Sequence, residues 1–150
     1  MKINFKKLDK GAMTPTYGSK YAAGCDLYAD ISENDDFAEL VIEPHTTVMV
    51  HTGIAMEIPE GYKGLIYARS GLAAKKGLRP SNCVGVIDSD YRGEIMVALH
   101  NDTDTRKRIE HEDRIAQLII EPVFQVEFNK VDELGETERG EGGFGSTGGC

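Results

Sequence analysis

Residues 84–94 read Val-Gly-Val-Ile-Asp-Ser-Asp-Tyr-Arg-Gly-Glu. One apolar run, Val84 to Ile87, leads into the polar stretch, and a second, Ile95 to Leu99, leads out of it. Two β-prone runs around a short polar segment with glycine near its end predict a hairpin. Its tip presents a carboxylate, Asp88, and a ring, Tyr91, from a stiff support, a common way to fix a reactive group. Taken alone, Asp-Ser-Asp-Tyr is also ordinary turn chemistry. The surrounding chain decides between the two readings.

Working outward, short strands recur at close spacing. Met1 to Leu8 predicts an edge strand, residues 14–19 a loop, and Ala22 to Ala29 a strand with small residues at its start. Leu40 to Ile42 and Thr46 to His51 flank a turn at Pro44; Gly53 to Ile58 and Leu65 to Ala68 follow. Ser70 is expected to cap one short helix, Gly71 to Lys76, ended by Gly77. Residues 32–36 are an acidic loop, and Asn101 to Asp113 is expected to be a charged loop. Arg114 to Val123 and Val126 to Phe128 close the set of strands. Many short strands with Gly and Pro punctuation indicate an all-β sandwich or barrel. From residue 135 onward seven glycines replace the apolar side chains, Phe144 excepted, so this tail cannot build a core by itself.

The bulk numbers bound the function. A chain of 150 residues predicts one domain, and 40% hydrophobic with 28% charged residues is an ordinary globular balance. No apolar run approaches the ~20 residues of a membrane span, and MKINFKKLDK has no apolar segment after its lysines, so a cytoplasmic protein is expected. Three cysteines without metal-ligand spacing predict free thiols. A net charge of -8 argues against general nucleic-acid binding, so any anionic ligand needs a local cluster of donors. HExxH, paired CxxC and GxxxxGK[ST] are absent, and no Ser-His pairing is legible among His45, His51, His100 and His111.

Three further segments can carry chemistry. In Arg139-Gly-Glu-Gly-Gly-Phe-Gly-Ser-Thr-Gly148, glycine amides can close around an anion, while Ser146, Thr147 and Arg139 add donors. Phe144 among these glycines can stack on a base. Arg69-Ser70-Gly71 at a helix start resembles an anion site, as any capped helix does. Arg114 and Gln117 are polar residues in an otherwise apolar strand, and can equally be an edge-strand face.

In this order the segments resemble the five motifs of the trimeric all-β dUTPases: AGCDLYA from Ala23, ARSGLA from Ala68, GVIDSDYRGE from Gly85, DRIAQLI from Asp113 and RGEGGFGSTG from Arg139. The likeness runs from about residue 21 to 148. Ala68 stands where that family often has Pro, and Glu112 where Gly usually precedes Asp-Arg. The resemblance implies a distorted, jelly-roll-like (β-clip) subunit with one short helix. It implies a domain over residues 1–135, and a flexible arm, residues 136–150, closing over the site. It also implies a homotrimer whose sites draw motifs one, two and four from one subunit, motif three from another and the arm from the third.

The implied reaction is dUTP plus water giving dUMP and pyrophosphate, which keeps uracil out of DNA and supplies dUMP for thymidylate synthesis. Mg2+ rides on the phosphates, with Asp26 the one candidate protein ligand. Asp88 takes the role of general base. Arg69, Ser70, Gly71, Gln117, Arg139, Gly145, Ser146 and Thr147 face phosphate; Asn82, Cys83, Gly85, Val86, Ile87, Tyr91, Met96 and Phe144 face the nucleoside; Asp26 and Arg114 support. Two other readings stay open on the residues. A dCTP deaminase needs a pocket glutamate and a base-reading pattern suited to cytosine. A nucleotide-gated binding protein needs a protein partner.

Overall fold

The computed structural model describes residues 1–31 and 39–143. The expected acidic loop at 32–36 and the residues 144–147 proposed for ligand binding lie outside them. No helix among the described residues is long and apolar enough to cross a membrane.

The strands run β1 (Asn4–Lys7), β2 (Thr16–Tyr17), β3 (Cys25–Tyr28), β4 (Glu39–Ile42), β5 (Thr47–Val50), β6 (Ile54–Glu57) and β7 (Tyr62–Tyr67). After a single π-helical turn, Leu72–Lys76, come β8 (Leu78–Pro80), β9 (Gly85–Ile87), β10 (Val97–Asn101), β11 (Lys107–Glu110) and β12 (Arg114–Pro122). All pairings are antiparallel. The largest sheet has the order β2-β3-β12-β7-β9, and smaller sheets pair β5-β10-β8, β4-β11 and β1-β6. Successive strands thus keep switching sheets, which is the jelly-roll-like all-β architecture expected from the sequence. Between the layers lie Leu27, Ile42, Val50, Ile54, Leu78, Leu99, Ile109, Ile115 and Leu118, all essentially closed to water.

Four expectations are corrected. The stretch 84–99 is not a hairpin: β9 pairs with β7, whereas β10 pairs with β5 and β8. Residues 88–96 therefore carry the chain from one sheet to another. Periodicity identifies the two strands but cannot say that each has a better partner elsewhere. The charged segment 101–113 contains strand β11, pinned by one apolar side chain, Ile109, buried against the core. Val126 to Phe128 is no strand; Phe128 is 92% exposed. Ser70 does not cap the helical turn, whose N-cap is Gly71 with no side-chain cap. Gly77 ends that turn as expected, at φ 66°, where its N–H bonds Ala73 O.

Candidate active site

Two separate clefts collect the candidate residues. The first is built on β3, β12 and the end of β7. Register sets Asp26, Gln117 and Tyr67 in one row across the three strands. Arg114 and Gln117 lie three apart, which in a regular strand puts them on opposite faces. A register shift between Arg114 and Ala116 admits one extra residue, and Ile115 and Ala116 are both fully buried. The bulge re-aims the strand, so Arg114 and Gln117 line the same cleft.

Asp26, buried, organises this cleft. Arg69 Nε donates to its Oδ1 at 2.7 Å, and Arg114 Nη1 to its Oδ2 at 3.3 Å. One carboxylate against two guanidiniums leaves the cleft cationic, suited to an anion. Gln117 Nε2 donates to Ala68 O at 3.1 Å, which orients its amide. Gly24 makes room for it: a Cβ there would lie 3.2 Å from Gln117 Cβ. Ser70 and Gly71 complete the rim, and no hydrogen bond among the described residues engages the Ser70 hydroxyl. Gly18, Ser19 and Ala22 also line this cleft of about 510 Å3. Sequence reasoning passed over Gly18 and Ser19 as a plain loop and took Ala22 as the start of a strand; the pairing of β2 with β3 folds that loop over the motif.

The second cleft is a more apolar cavity of about 250 Å3. Asn82, Gly85, Val86, Ile87, Tyr91 and Met96, all of the expected nucleoside-facing set, line it together with Asp88, the expected general base. Cys83 does not; it turns away at φ 63° with an exposed thiol. Among the described residues β9 pairs with β7 alone, so it is an edge strand, and its residues Gly85, Val86 and Ile87 line the cavity. A Cβ on Gly85 would stand 3.2 Å from Ile66 Cβ and 3.3 Å from Asn82 Nδ2, so glycine keeps the floor close. Met49 and Glu94 are wall residues that sequence reasoning missed. Met49 comes from β5, brought in only by its pairing with β10.

The segment between β9 and β10 is braced from within. Arg92 Nη1 donates to Ser89 O at 2.7 Å and Tyr91 O at 2.9 Å, and Tyr91 Oη donates to Glu94 O at 2.9 Å. Glu94 is itself pinned: Gly53 N donates to its Oε1 at 2.8 Å and His51 Nδ1 lies 2.8 Å from its Oε2. Asp88 is different. Its carboxylate is exposed at the cavity rim, and no hydrogen bond or ion pair among the described residues engages it.

Arg139 lines neither cleft; its Nε donates to Gly142 O at 2.7 Å within its own turn. Cys25 is buried beside the first cleft, and burial pushes its thiol up from the ordinary value. No group of three or more metal-ligating side chains exists among the described residues. Asp26 has both oxygens committed to guanidiniums, so it does not suit a resident metal ion.

An antiparallel, jelly-roll-like β protein with a base-sized apolar cavity and a separate guanidinium-lined cleft is of the class built for a phosphorylated nucleoside. A family model described as dUTPase matches residues 10–148. Deoxyuridine 5'-triphosphate nucleotidohydrolases of Nautilia profundicola and of a Hydrogenobaculum species are 47% and 49% identical, each over 99% of both chains. Among solved structures, the dUTPase of Staphylococcus bacteriophage 80alpha with dUPNHPP is similar at a TM-score of 0.86 and 32% identity, covering 98% of each chain. That protein is described among phage dUTPases that control transfer of virulence genes by a proto-oncogenic G protein-like mechanism. This chain belongs to the dUTPase family.

Proposed function

We propose that this chain hydrolyses dUTP to dUMP and pyrophosphate in the cytoplasm. It does so as a homotrimer whose sites join the nucleoside cavity of one protomer to the cationic cleft of another. One observation carries the reading: the two clefts have no lining residue in common. In a closed ring of heterologous contacts each copy has a neighbour whose cleft can meet its cavity, and a nucleotide placed there uses both.

Each part then has a task. The free edge of β9, with Asn82, reads uracil. Cytosine exchanges donor and acceptor, and would leave buried groups unpaired, a mismatch worth ~10⁴ in rate. Tyr91 and Met96 wall the sugar, leaving no space for a 2′-hydroxyl. The substrate is the Mg2+ complex of the triphosphate, and the ion stays with phosphate oxygens and water. Arg69, Ser70 and the Gly71 amide meet phosphate charge, and Gln117 holds the attacking water or an α-phosphate oxygen. Arg114 and Asp26 keep Arg69 aimed. Water attacks the α-phosphorus, its proton passes to the Asp88 carboxylate, and the α–β bridging bond breaks with its electron pair leaving on pyrophosphate. An unpartnered carboxylate, as Asp88 has, is the form a general base needs. Residues 136–150 serve as an arm over the nucleotide, with Phe144 on the base and Arg139, Gly145, Ser146 and Thr147 on outer phosphates.

The test is pyrophosphate release across dUTP, dCTP, dTTP and UTP. Release from dUTP alone is expected. Equal turnover of all four, or ammonia release from dCTP, overturns the reading.

A further inference from the structure

Gly93 is the position in the 88–94 segment where a side chain has no room. A Cβ built there would lie 2.4 Å from Tyr91 Oη, 2.5 Å from Cζ and 2.9 Å from Cε2. The aromatic ring thus folds back over the Gly93 backbone, two residues on, and its hydroxyl reaches the Glu94 carbonyl at 2.9 Å. The three nearest atoms all belong to the far end of one side chain, that of Tyr91. No positive φ calls for glycine here, because Gly93 is not among the glycines with that geometry. What the missing side chain provides is a floor for the ring.

We propose that Gly93 is a positioning residue for sugar discrimination: the bare backbone at this position holds the Tyr91 ring down, and any Cβ lifts it from its seat. The inference rests on the proposed dUTP reading of the nucleoside cavity, which Tyr91 lines. The geometry separates stability from selectivity. A methyl group at 93 meets the tip of a 44% exposed ring that can swing into solvent, so the fold absorbs it easily. The ring cannot absorb it without leaving Glu94 O and its place at the cavity wall. Arg92 keeps the backbone of the turn fixed through Ser89 O and Tyr91 O, so the displacement is taken by the ring and not shared along the turn.

The experiment is a cycle of Gly93→Ala, Tyr91→Ala and the double variant, each assayed with dUTP and UTP. Gly93→Ala is expected to keep its melting temperature within a few degrees. Its preference for dUTP over UTP in kcat/KM should fall roughly tenfold or more, the scale of one lost steric contact. In the Tyr91→Ala background the same change should alter that preference by less than about twofold, because the ring through which it acts is gone. Tyrosine-selective ¹³C labelling should show one ring resonance, that of Tyr91, shifted by Gly93→Ala. An unchanged preference, additive effects in the double variant, or a variant that fails to fold each overturn the inference; the last would mean that the methyl meets more than the ring. If the wild type turns over neither nucleotide, the function proposal fails. The cycle is then read as relative affinity for the imido analogues of dUTP and UTP, and the ring resonance still reports the displacement.

Discussion

Asp88→Asn keeps the shape of the turn, since the turn is held by Arg92 and Tyr91 and not by this side chain. A neutral amide cannot accept the water's proton, so turnover of dUTP should fall by about 10²–10⁴ with nucleotide affinity nearly unchanged. Single-turnover hydrolysis and analogue binding, measured on the same preparation, check this. A second residue gains meaning from where it departs from the family pattern. Glu112 sits at φ 66°, in the left-handed region where a side chain is crowded and glycine is at ease. Its N–H bonds Ala29 O and the next residue's carbonyl accepts from Ala29 N, so the conformation is fixed by the β3–β12 junction. Glu112→Gly should therefore raise stability by about 0.5–1 kcal/mol, the left-handed penalty less glycine's extra chain entropy. Urea titration reads that shift, and a loss of stability would refute it. At this scale much was legible, because a polar residue inside an apolar run, such as Gln117, or an aspartate before a tyrosine in a turn, announces itself. Met49 and Ser19 did not, being common residue types placed by partners far away in the chain.

Elements were legible where a strand carries its own apolar signal and illegible where a partner supplies it. β12 is apolar enough to be read directly. β11 has the sequence Lys-Arg-Ile-Glu, and only pairing with β4 and the burial of Ile109 make it a strand. Conversely, Val126 and Phe128 are β-prone but largely exposed and paired with no strand among the described residues, and propensity without a partner does not make a strand. The β12 bulge, which brings Arg114 and Gln117 to one face, leaves no trace in the sequence beyond two polar residues at an awkward spacing. Between β10 and β11 the chain turns on Asn101, a polar side chain with no exposure. Its Nδ2 donates to Ile42 O, Glu43 O and Thr105 O, and its Oδ1 accepts from Thr103 N and Oγ1. One side chain thus ties three segments together. Asn101→Ala strands several of these groups away from water, so a loss of about 2–4 kcal/mol is expected. Thermal unfolding followed by far-UV dichroism is the check, and a shift of only a degree or two would deny Asn101 this role.

At the scale of the whole molecule, the division between the clefts can be read by mixing subunits. Asp88→Asn damages only the nucleoside cavity, and Gln117→Ala only the cationic cleft. If one chain supplied a complete site, a mixture of the two inactive proteins would stay inactive, since every site would keep one defect. If each site joins the cavity of one protomer to the cleft of its neighbour, some sites in a mixed ring combine two intact halves. With equal amounts and random assembly, an intact cavity occurs on one in two protomers and an intact cleft on one in two neighbours. About a quarter of the sites should then work, within one closed ring of three. The experiment is to unfold the two variants together, refold them, and compare dUTP turnover with the wild type and with the variants refolded separately and then mixed. Recovery toward a quarter after joint refolding, and none after mixing folded proteins, is the expected result. The contrast matters because subunit exchange, and not simple addition of residual activities, must create the working sites. No gain after joint refolding, with trimers verified by light scattering, would mean that cavity and cleft do not serve one site across protomers.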